Sequence, residues 1–344
     1  MPVRPQRSRR VLDSATDTPV VRLAILGPTC SRKSAIAMRL AELLDAEIIS
    51  CDSMQVYRGL DIGTAKPTAA DRLRVPHHLI DALDIAEPYN VSRFLAKCEE
   101  ILTAPGNRTK PYLLVGGSGL YARALVYGYR LAPVDPALNA QLWEEYRSAD
   151  GPARLSAELA AAAPRMASRL NGNPRRLVRA VEIQRITGRA DVLFAGANRE
   201  TAAARQRLAW RQFIILPPWE IQRRAIAERT EAMLRAGWIA ETAALVAGGL
   251  EHAPTARQAI GYRDIAAYLR GELADRGQLA AFIVRHTVCY ARRQRTWFRH
   301  QHPGAEFLEG FFADAEEGAA RILASVRAAA VARPEIYSAK GYNT

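Results

Sequence analysis

The first half of the chain contains three short segments that are rich in apolar residues and end in glycine or small polar residues. They are residues 20–26 (VVRLAIL), 47–50 (EIIS) and 111–115 (PYLLV). Short runs of this kind, bounded by turn-forming residues, predict buried strands. A fourth run, FIIL at 213–216, has the same character and predicts a strand that returns to the same sheet.

The segments that follow these strands show the period of a helix. After residue 32, apolar residues recur at helical spacing, at Ile36, Leu40, Leu43 and Leu44. A helix is therefore predicted to begin near Lys33, and the loop GGSG at 116–119 also runs into a helical pattern. Alternating strands and helices predict a parallel α/β sheet, whose ligands bind beyond the carboxyl ends of the strands. The loops at Gly27, Asp52 and Ser118 are predicted to lie there.

The pattern changes after residue 133 and divides the chain. Residues 136–198 are helical and Ala-rich, with a helix predicted from a proline at its first position, Pro174. We predict a disordered basic arm at 1–19, an α/β core formed by 20–135 and 199–303, and a helical insertion domain at 136–198. Residues 304–344 are predicted to be a C-terminal tail of helical composition without recognisable chemistry.

The charge of the chain favours a polyanionic partner. Lys and Arg total 48 against 35 Asp and Glu, which gives a net charge of +13. An excess of this size is most simply explained by binding of nucleic acid. No apolar run approaches the roughly 18 residues that a membrane-spanning helix needs, so we expect no contact with a membrane.

The cysteines and the N-terminus indicate a cytoplasmic protein. Four cysteines lie far apart without a C-x-x-C pair, at Cys30, Cys51, Cys98 and Cys289. This spacing argues against a disulfide scaffold or a zinc ribbon and fits a reducing compartment. The first 19 residues are rich in Arg, Pro and Ser but lack the apolar segment of a secretory signal. An organelle transit peptide is the alternative to a disordered arm, and Asp13 and Asp17 count against it.

The stretch GPTCSRKS resembles the phosphate-binding pattern G-x-x-x-x-G-K-[ST], and it stands between a predicted strand and a predicted helix. Its residues are Gly27, Pro28, Thr29, Cys30, Ser31, Arg32, Lys33 and Ser34. Inward N–H groups, the helix N-terminus and Lys33 favour a phosphate, and Ser34 is placed to reach a magnesium ion. Arg32 replaces the second glycine, at a position whose conformation is often costly for a residue with a Cβ. A chance match or a relic is the alternative.

A carboxylate is needed beside such a loop. Nucleotide-hydrolysing enzymes hold a metal with an Asp at the end of a neighbouring strand, but residues 116 and 117 are glycines here. Asp52 is the best carboxylate available, as a base or a metal ligand, although Asp before Ser is also common as a helix cap or turn residue. His77 and His78 are adjacent, which is poor spacing for metal ligands, so we expect them to be structural.

Two predicted helices carry clustered arginines. Arg285, Arg292 and Arg299 recur every seven residues and share one face, with further charges and aromatic residues between them, at Arg293, Arg295, Trp297 and Phe298. A second basic helix carries Arg175, Arg176 and Arg179. Basic surface interleaved with aromatic rings suits contact with the RNA backbone and stacking of bases. A solvated helix with a buried aromatic stripe is the alternative for either one alone.

A series of motifs in order resembles the tRNA dimethylallyltransferases, also called tRNA isopentenyl transferases. The motifs are GPTCSRKS, ISCDSMQVYRGLDIGTAKP, VPHHLID, LLVGGSGLY, NPRRLVRAVEI, ARQAIGYRDI and ARRQRTWFR, over about residues 22–300. The pair DIGTAKP and VPHHLID is far more specific than a phosphate loop alone. The resemblance implies a P-loop-like parallel sheet core flanked by helices, with a helical insertion domain.

The resemblance also implies an activity and its residues. Members transfer a dimethylallyl group from dimethylallyl diphosphate to N6 of the adenosine 3′-adjacent to the anticodon in tRNA. By this resemblance the diphosphate binds residues 27–34 with Mg²⁺ at Ser34, Asp52 is the general base, and Lys33 and Arg229 assist. Ser118, where the family usually has Thr, would hydrogen-bond the bridging oxygen of the leaving group.

The RNA contacts that the resemblance implies come from five segments. They are Asp52, Ser53, Met54, Gln55, Arg175, Arg176, Arg179, Arg257, Gly261, Tyr262, Arg263, Arg293, Gln294, Arg295 and Trp297. The partners implied are the tRNA anticodon stem-loop and dimethylallyl diphosphate, and we expect a monomer.

Two departures from the family pattern leave alternatives open. Arg32 is one, and we expect its guanidinium to donate to the diphosphate. The other is in IQRRAIAERTEAM, where the usual pattern is R-I-E-x-R: Arg229 is kept, but Ala225 replaces the earlier arginine and two arginines stand just before it, Arg223 and Arg224. A P-loop phosphotransferase is disfavoured by the missing strand-end Asp. A tRNA-binding paralogue without activity is disfavoured because Asp52, Lys33, Ser34 and Ser118 are all present.

Overall fold

The computed structural model describes residues 22–107, 110–129, 131–170, 172–189, 210–310 and 312–332. The predicted basic arm at 1–19 lies outside these residues. Six strands are present, β1 to β6 in chain order: Arg22–Leu26, Glu47–Cys51, His77–His78, Tyr112–Gly116, Arg211–Leu216 and Glu306–Glu309. The described α-helices, α1 to α13, are Lys33–Leu44, Ala69–Arg74, Val91–Thr103, Gly119–Val126, Pro136–Arg147, Gly151–Ala162, Pro164–Ala167, Pro174–Thr187, Trp219–Arg235, Trp238–Ala247, Tyr262–Leu269, Arg276–Gln301 and Ala315–Ala332.

The strands form one parallel sheet in the order β3-β2-β4-β1-β5-β6. The predicted strands are confirmed, and the predicted first helix begins at Lys33. Leu26 pairs with Gly116, and Gly116 pairs with Cys51, so three strand ends are level with one another. The loops that follow these strands are therefore neighbours, as the sequence predicts.

Both faces of the sheet are buried, which explains why its strands are continuous apolar runs. Alternate residues of β1 contribute to two different cores, Ala24 and Leu26 to one and Leu23 and Ile25 to the other. The first core includes residues of α3, α4, α11 and α12, and the second includes residues of α1 and α13.

Helices α5 to α8 pack around an apolar cluster of their own. It is formed by Leu142, Leu155, Leu159, Met166, Leu170, Leu177, Val178, Ala180 and Val181. At its base, Glu182 is fully buried and its carboxylate accepts the N–H of Asp135 at 3.1 Å and the amide of Asn139 at 3.0 Å. Asn173 caps α8, and Pro174 occupies its first turn. These four helices therefore share a core of their own, while the insertion domain and its bounds stay a prediction.

The segment predicted to be a C-terminal tail belongs to the core over most of its length. Strand β6 pairs in parallel with β5, with Leu308 opposite Ile215, and forms an edge of the sheet. Helix α13 then packs on α1, with Ala319 and Ile322 fully buried. Strand β6 leaves little pattern in the sequence because only one of its four residues, Leu308, is buried.

Two smaller expectations concern the histidines and the membrane. The adjacent histidines form β3 at the other edge of the sheet, where His78 Nε2 lies 2.6 Å from the Glu47 carboxylate. The described residues contain no group of three or more side chains that could together hold a metal ion. None of the described helices combines the length and the apolar character needed to cross a bilayer.

Candidate active site

The phosphate-like loop follows β1 and ends where α1 begins. A Cβ on Gly27 would lie 2.6 Å from the carbonyl oxygen of Ile215, so only glycine fits there. Cys30 and Arg32 both have positive φ, at 57° and 63°, which turns the backbone twice before the helix. Successive turns of this kind direct backbone N–H groups inward, and the N-terminus of α1 adds its dipole. The loop thus has the backbone of an anion site.

Arg32 occupies the glycine position in a left-handed conformation, with φ 63° and ψ 6°. This conformation costs an L-residue about 1–2 kcal/mol relative to its right-handed counterpart. The side chain is exposed, and its Nη1 donates to the carbonyl oxygen of Ala313 at 2.7 Å. Our expectation that the guanidinium donates to a phosphate therefore does not match the contact present, because the group is directed to the C-terminal segment.

Thr29 is the residue of the loop with the most partners from other elements. Its N–H donates to Gln294 Oε1 at 2.9 Å, and its carbonyl accepts from Gln222 Nε2 at 2.7 Å. Its hydroxyl accepts from Arg229 Nη2, also at 2.7 Å. Gln222 and Arg229 are on α9 and Gln294 is on α12, so two helices far along the chain hold the loop. Sequence reasoning missed Gln222, which is fully buried.

Lys33 is the main cation beside the loop. Its Nζ donates to the carbonyl oxygen of Pro28 at 3.2 Å. Burial lowers its pKa to about 8, the nearby Arg229 adds to this effect, and the carboxylate of Asp52 opposes it. The ammonium is therefore held without full charge compensation. An anion that binds here raises the pKa of Lys33 again, because it favours the charged form.

Asp52 follows the last residue of β2 and faces the same space. Its Oδ1 accepts the backbone N–H of Met54 at 2.8 Å and, more weakly, that of Gln55 at 3.4 Å. Asp52 therefore does stabilise the turn, but only one of its two carboxylate oxygens, Oδ1, takes part. Within the described residues, no hydrogen bond to Oδ2 is present, so that atom is free to accept a proton from a ligand.

A cavity of about 870 Å³ joins these groups. Its polar lining includes Lys33, Ser34, Asp52 and Arg229. Its apolar and aromatic lining includes Met233, Trp238, Ile283 and Tyr290. Arg32 is absent from the described residues that line it. One cavity thus combines an anion site with apolar surface, which suits a ligand that has a charged head and a hydrocarbon tail.

A second cavity, of about 590 Å³, lies against the first. The two share part of their lining: Ser53, Met54, Gly117, Gln258, Tyr290, Arg293 and Gln294. The second is lined on its far side by Ser118, Tyr121, Arg175 and Trp297. The side chains of α12, notably Tyr290 and Gln294, stand where the cavities meet.

The glycine-rich loop after β4 contributes residues to the lining of both cavities. A Cβ on Gly117 would collide with the amide of Gln294, and one on Gly119 would collide with the indole of Trp297. Ser118 Oγ accepts the N–H of Ser53 at 3.1 Å, which ties this loop to the one that carries Asp52. The glycines therefore allow α12 to approach both loops closely. The predicted contact of Ser118 with a phosphate oxygen stays a prediction.

The predicted RNA contacts fall into two groups. Five arginines are exposed as expected: Arg175, Arg176, Arg257, Arg263 and Arg293. Two others have internal partners instead. Arg179 donates to the carbonyls of Ala132 and Pro133 and to Glu182, and Arg295 donates to Pro217 and Gln222. A direct RNA contact does not fit these two, because their guanidinium groups hold the protein together.

Gln55 and Gln294 also have internal partners that sequence reasoning did not foresee. The amide of Gln55 donates to the carbonyl of Thr64 at 3.0 Å and accepts from Ser50 Oγ, which closes the loop DIGTAKP over the strand. Gln294 is buried, and its Nε2 donates to the carbonyl of Gly117 at 2.9 Å. Both side chains line the first cavity, so they remain within reach of a ligand.

A hub behind the loop DIGTAKP was not predicted. The carboxylate of Glu241 accepts the N–H of Ile62 at 2.8 Å and the hydroxyl of Tyr262 at 2.6 Å. Trp238 packs edge-on against Tyr262, and a Cβ on either Gly63 or Gly261 would collide with its indole. Tyr262 and Gly261, which we predicted to contact RNA, are thus buried around this hub. No sequence signal connects these segments, because they are about 180 residues apart.

Two family models and a named relative match this chain. Residues 55–301 match the family model described as IPP transferase, and residues 21–83 match a second model, isopentenyl transferase. A protein of Thermus thermophilus named tRNA dimethylallyltransferase is 43% identical to this chain over 286 residues, which cover 81% of this chain and 89% of the relative.

Two solved structures are similar to this chain in fold. The crystal structure of full-length tRNA isopentenylpyrophosphate transferase from Bacillus halodurans matches with a TM-score of 0.64 and 29% identity, covering 92% of this chain and 99% of that one. A eukaryotic dimethylallyltransferase described as acting on tRNA matches with a TM-score of 0.76, over 91% of this chain and 80% of that one. At 21% identity the second likeness concerns the fold alone. The predicted fold class is confirmed.

Proposed function

This chain belongs to the IPP transferase family, and on that premise we propose that it transfers a dimethylallyl group from dimethylallyl diphosphate to N6 of the adenosine 3′-adjacent to the anticodon in tRNA. The observation that carries the proposal is the pair of cavities with a shared wall. One holds the phosphate-like loop, Lys33 and apolar surface, and the other opens beside exposed arginine and aromatic side chains. Two substrates thereby approach one reaction point from different sides.

The first cavity accounts for the prenyl donor. The diphosphate binds backbone N–H groups in residues 30–34, with Lys33 and Arg229 beside it, and the prenyl chain lies against the apolar lining near Trp238. As the bond from carbon to the bridging oxygen breaks, negative charge develops on the diphosphate. Fixed donors and cations that point at this charge stabilise the transition state. Ser118 lines the adjoining cavity, from which its hydroxyl would reach the bridging oxygen.

Asp52 accounts for the proton. The exocyclic amine of adenine is a weak nucleophile, so a positioned acceptor helps it attack. N6 forms a bond to the prenyl carbon, the diphosphate leaves with the electron pair of the broken bond, and the N6 proton passes to the Asp52 carboxylate. Oδ1 is held by the turn at residues 52–55, which leaves Oδ2 as the acceptor. Atoms and charges balance without a further reactant.

The donor set fits Mg²⁺ as a cofactor. The described residues lack a cluster that could enclose an ion by itself, and the Ser34 hydroxyl and the Asp52 carboxylate both line the first cavity. Mg²⁺ usually keeps several waters and is held by one or two protein oxygens together with substrate phosphates. Ser34 would help to hold the ion, which would neutralise charge on the leaving group.

The second cavity accounts for the tRNA anticodon stem-loop. An enzyme that modifies a base must take it out of the stack, which costs little in a single-stranded loop. Tyr121 and Trp297 offer aromatic surface for the base, and Arg175 and Arg293 offer cations for the backbone. Trp297 Nε1 is a buried donor without a protein partner among the described residues, which suits a base edge.

We also propose that the protein acts as a cytoplasmic monomer, with α5 to α8 as a separate domain on the RNA side. Arg175, at the start of α8, brings the insertion to the edge of the second cavity.

The test is to incubate the protein with dimethylallyl diphosphate, Mg²⁺ and unmodified tRNA, and to analyse the nucleosides by mass spectrometry. We expect prenylated adenosine at the position next to the anticodon. Binding of tRNA without any prenylated adenosine would contradict the proposal and favour the paralogue that binds but does not catalyse. Transfer of phosphate from a nucleotide would favour the phosphotransferase.

A further inference from the structure

Arg32 and the C-terminal segment form a contact that the proposed mechanism does not use. The contact joins residues 281 positions apart, from the guanidinium of Arg32 to the carbonyl oxygen of Ala313. Arg32 is also the residue that caps α1 in the conformation that glycine would adopt without strain. The chain thus keeps an unfavourable backbone conformation and restrains it from outside the loop.

Ala313 is itself held in place. Its N–H donates to Glu317 Oε2 at 2.7 Å, and the N–H of Glu317 donates to Asp314 Oδ1 at 2.9 Å. These two bonds fix the turn from which α13 starts. The carbonyl oxygen of Ala313 therefore has a fixed position relative to α13, so it restrains Arg32 as long as α13 is fixed to α1.

Helix α13 is fixed to α1 directly below the loop. Gly318 lies against Ile36, where a Cβ would come within 2.5 Å of Cδ1, so the two helices are in close contact at the first turn of α1. Arg39 of α1 also forms an ion pair with Glu316. Arg39 and Ala315 both line the first cavity, so this helix pair forms part of its rim.

From these contacts we infer that Arg32 is a positioning residue, which holds the diphosphate loop in its anion-binding conformation by anchoring it to Ala313 of the C-terminal segment. Glycine adopts the left-handed conformation at this position without strain, but Arg32 does not. The hydrogen bond to Ala313 holds Arg32 in that conformation and so offsets the strain. The inference rests on the proposed function, since it assumes that the loop binds a diphosphate.

The experiment measures binding of inorganic diphosphate with Mg²⁺ by calorimetry, because this probe reports on the loop without tRNA or turnover. We expect Arg32→Ala to weaken binding about tenfold, the equivalent of one charged hydrogen bond, since it keeps the backbone strain and removes the anchor. Arg32→Lys should recover part of the loss, because its ammonium can still donate to Ala313. Arg32→Gly should lose less than Arg32→Ala, because glycine removes the strain.

A double-mutant cycle separates the anchor from a general loss of stability. Glu317→Ala releases the N–H of Ala313 and should also weaken diphosphate binding, but it should have no further effect in the Arg32→Ala background. Arg93→Ala is the matched control, because Arg93 also donates to a backbone carbonyl, that of Pro88, but on α3. It should leave diphosphate binding unchanged.

The outcomes distinguish the two proposals. If the wild type binds diphosphate and Arg32→Ala binds it equally well, the anchor is wrong and the proposed function stands. Additive losses from Arg32→Ala and Glu317→Ala would also overturn the anchor. If the wild type does not bind diphosphate at all, the proposed function fails and the anchor with it. In the supporting case, prenyl transfer by Arg32→Ala shows a raised KM for dimethylallyl diphosphate, with kcat and tRNA affinity nearly unchanged.

Discussion

Asp52 and Lys33 carry opposite charges in the first cavity, and each is fixed by a backbone contact. Asp52 accepts from the turn that follows it, and Lys33 donates to the carbonyl of Pro28. These contacts leave Asp52 Oδ2 and the two remaining protons of the Lys33 ammonium for substrate. Removing either charge should therefore affect chemistry more than folding.

Substitution of Asp52 separates its role in the turn from its role as a base. Asp52→Asn keeps an oxygen that can accept from Met54, but its amide cannot take the N6 proton. We expect turnover to fall by about 10²–10⁴, with tRNA affinity within a few fold. Asp52→Ala should lose turnover as well and some stability in addition. Single-turnover assays and filter binding measure both quantities. Most of the activity surviving in Asp52→Asn would show that another group is the base.

Lys33 should lower the stability of the protein at neutral pH. Its folded pKa of about 8 is below the ordinary value of 10.5, so the unfolded chain binds more protons between these values. Stability should therefore rise as pH increases from about 8 to 10.5, and the cost of the buried charge is fully present below pH 8. We expect Lys33→Met to raise Tm at pH 7 by about 2 °C and to abolish diphosphate binding.

The effect of the Lys33 charge on stability is measured by thermal denaturation of Lys33→Met and the wild type at pH 7 and pH 10. The difference in Tm should shrink at the higher pH, because Lys33 is then mostly neutral in the folded state and no longer keeps a charge buried. Diphosphate affinity of the wild type should fall above about pH 8. A Tm difference that does not change with pH would contradict this account of Lys33.

At the scale of elements, helices α9, α10 and α12 hold the loops of the sheet from behind. Thr29 is bound by α9 and α12, and the loop DIGTAKP is bound by Glu241 of α10. The sequence predicts the loops because strand, turn and helix leave local patterns. It does not predict that Gln222, Gln294 and Glu241 bind these loops. An isolated Gln or Glu on a helix leaves no sequence pattern that indicates a partner far along the chain.

Glu241 is the clearest test of this support. Glu241→Ala leaves the N–H of Ile62 and the hydroxyl of Tyr262 without their acceptor in a buried setting. We expect the free energy of unfolding to fall by about 2 kcal/mol. Urea denaturation measures the loss, and Glu251→Ala is the control, since the ion pair of Glu251 with Arg270 is exposed. Equal stability of the two variants would show that the hub contributes nothing.

Edge strand β6 shows another limit of sequence reasoning at this scale. Four residues with a single buried side chain are too few for periodicity to distinguish a strand from a loop. What identifies β6 is its pairing with β5, a property of the assembled sheet. The same holds for α13, whose Ala-rich pattern predicts a helix but not the neighbour on which it packs.

At the scale of the whole molecule, we expect the positive charge to determine how strongly the affinity for tRNA depends on salt. The exposed arginines of the site are Arg175, Arg176, Arg257, Arg263 and Arg293. If each contacts a phosphate, the plot of log affinity against log salt concentration has a slope of about −4. Arg176→Ala should reduce the slope by about 1, and Arg179→Ala should not, since its guanidinium is bound inside the protein.

Filter binding of tRNA between 50 mM and 300 mM salt measures the slope. A slope near zero would remove the electrostatic case for the exposed arginines. A loss of slope in Arg179→Ala equal to that in Arg176→Ala would mean that the internal contacts of Arg179 open when tRNA binds.

The anchor between Arg32 and Ala313 also has a consequence for how the protein is synthesised. A ribosome releases the phosphate-like loop well before the segment that restrains it, because 281 positions separate Arg32 from Ala313. Throughout translation, the nascent chain therefore carries a loop that is not yet fixed for diphosphate, and a message broken before codon 313 yields a product that never acquires the restraint. Tight binding of the prenyl donor thus depends on a segment that is translated long after the loop that it restrains.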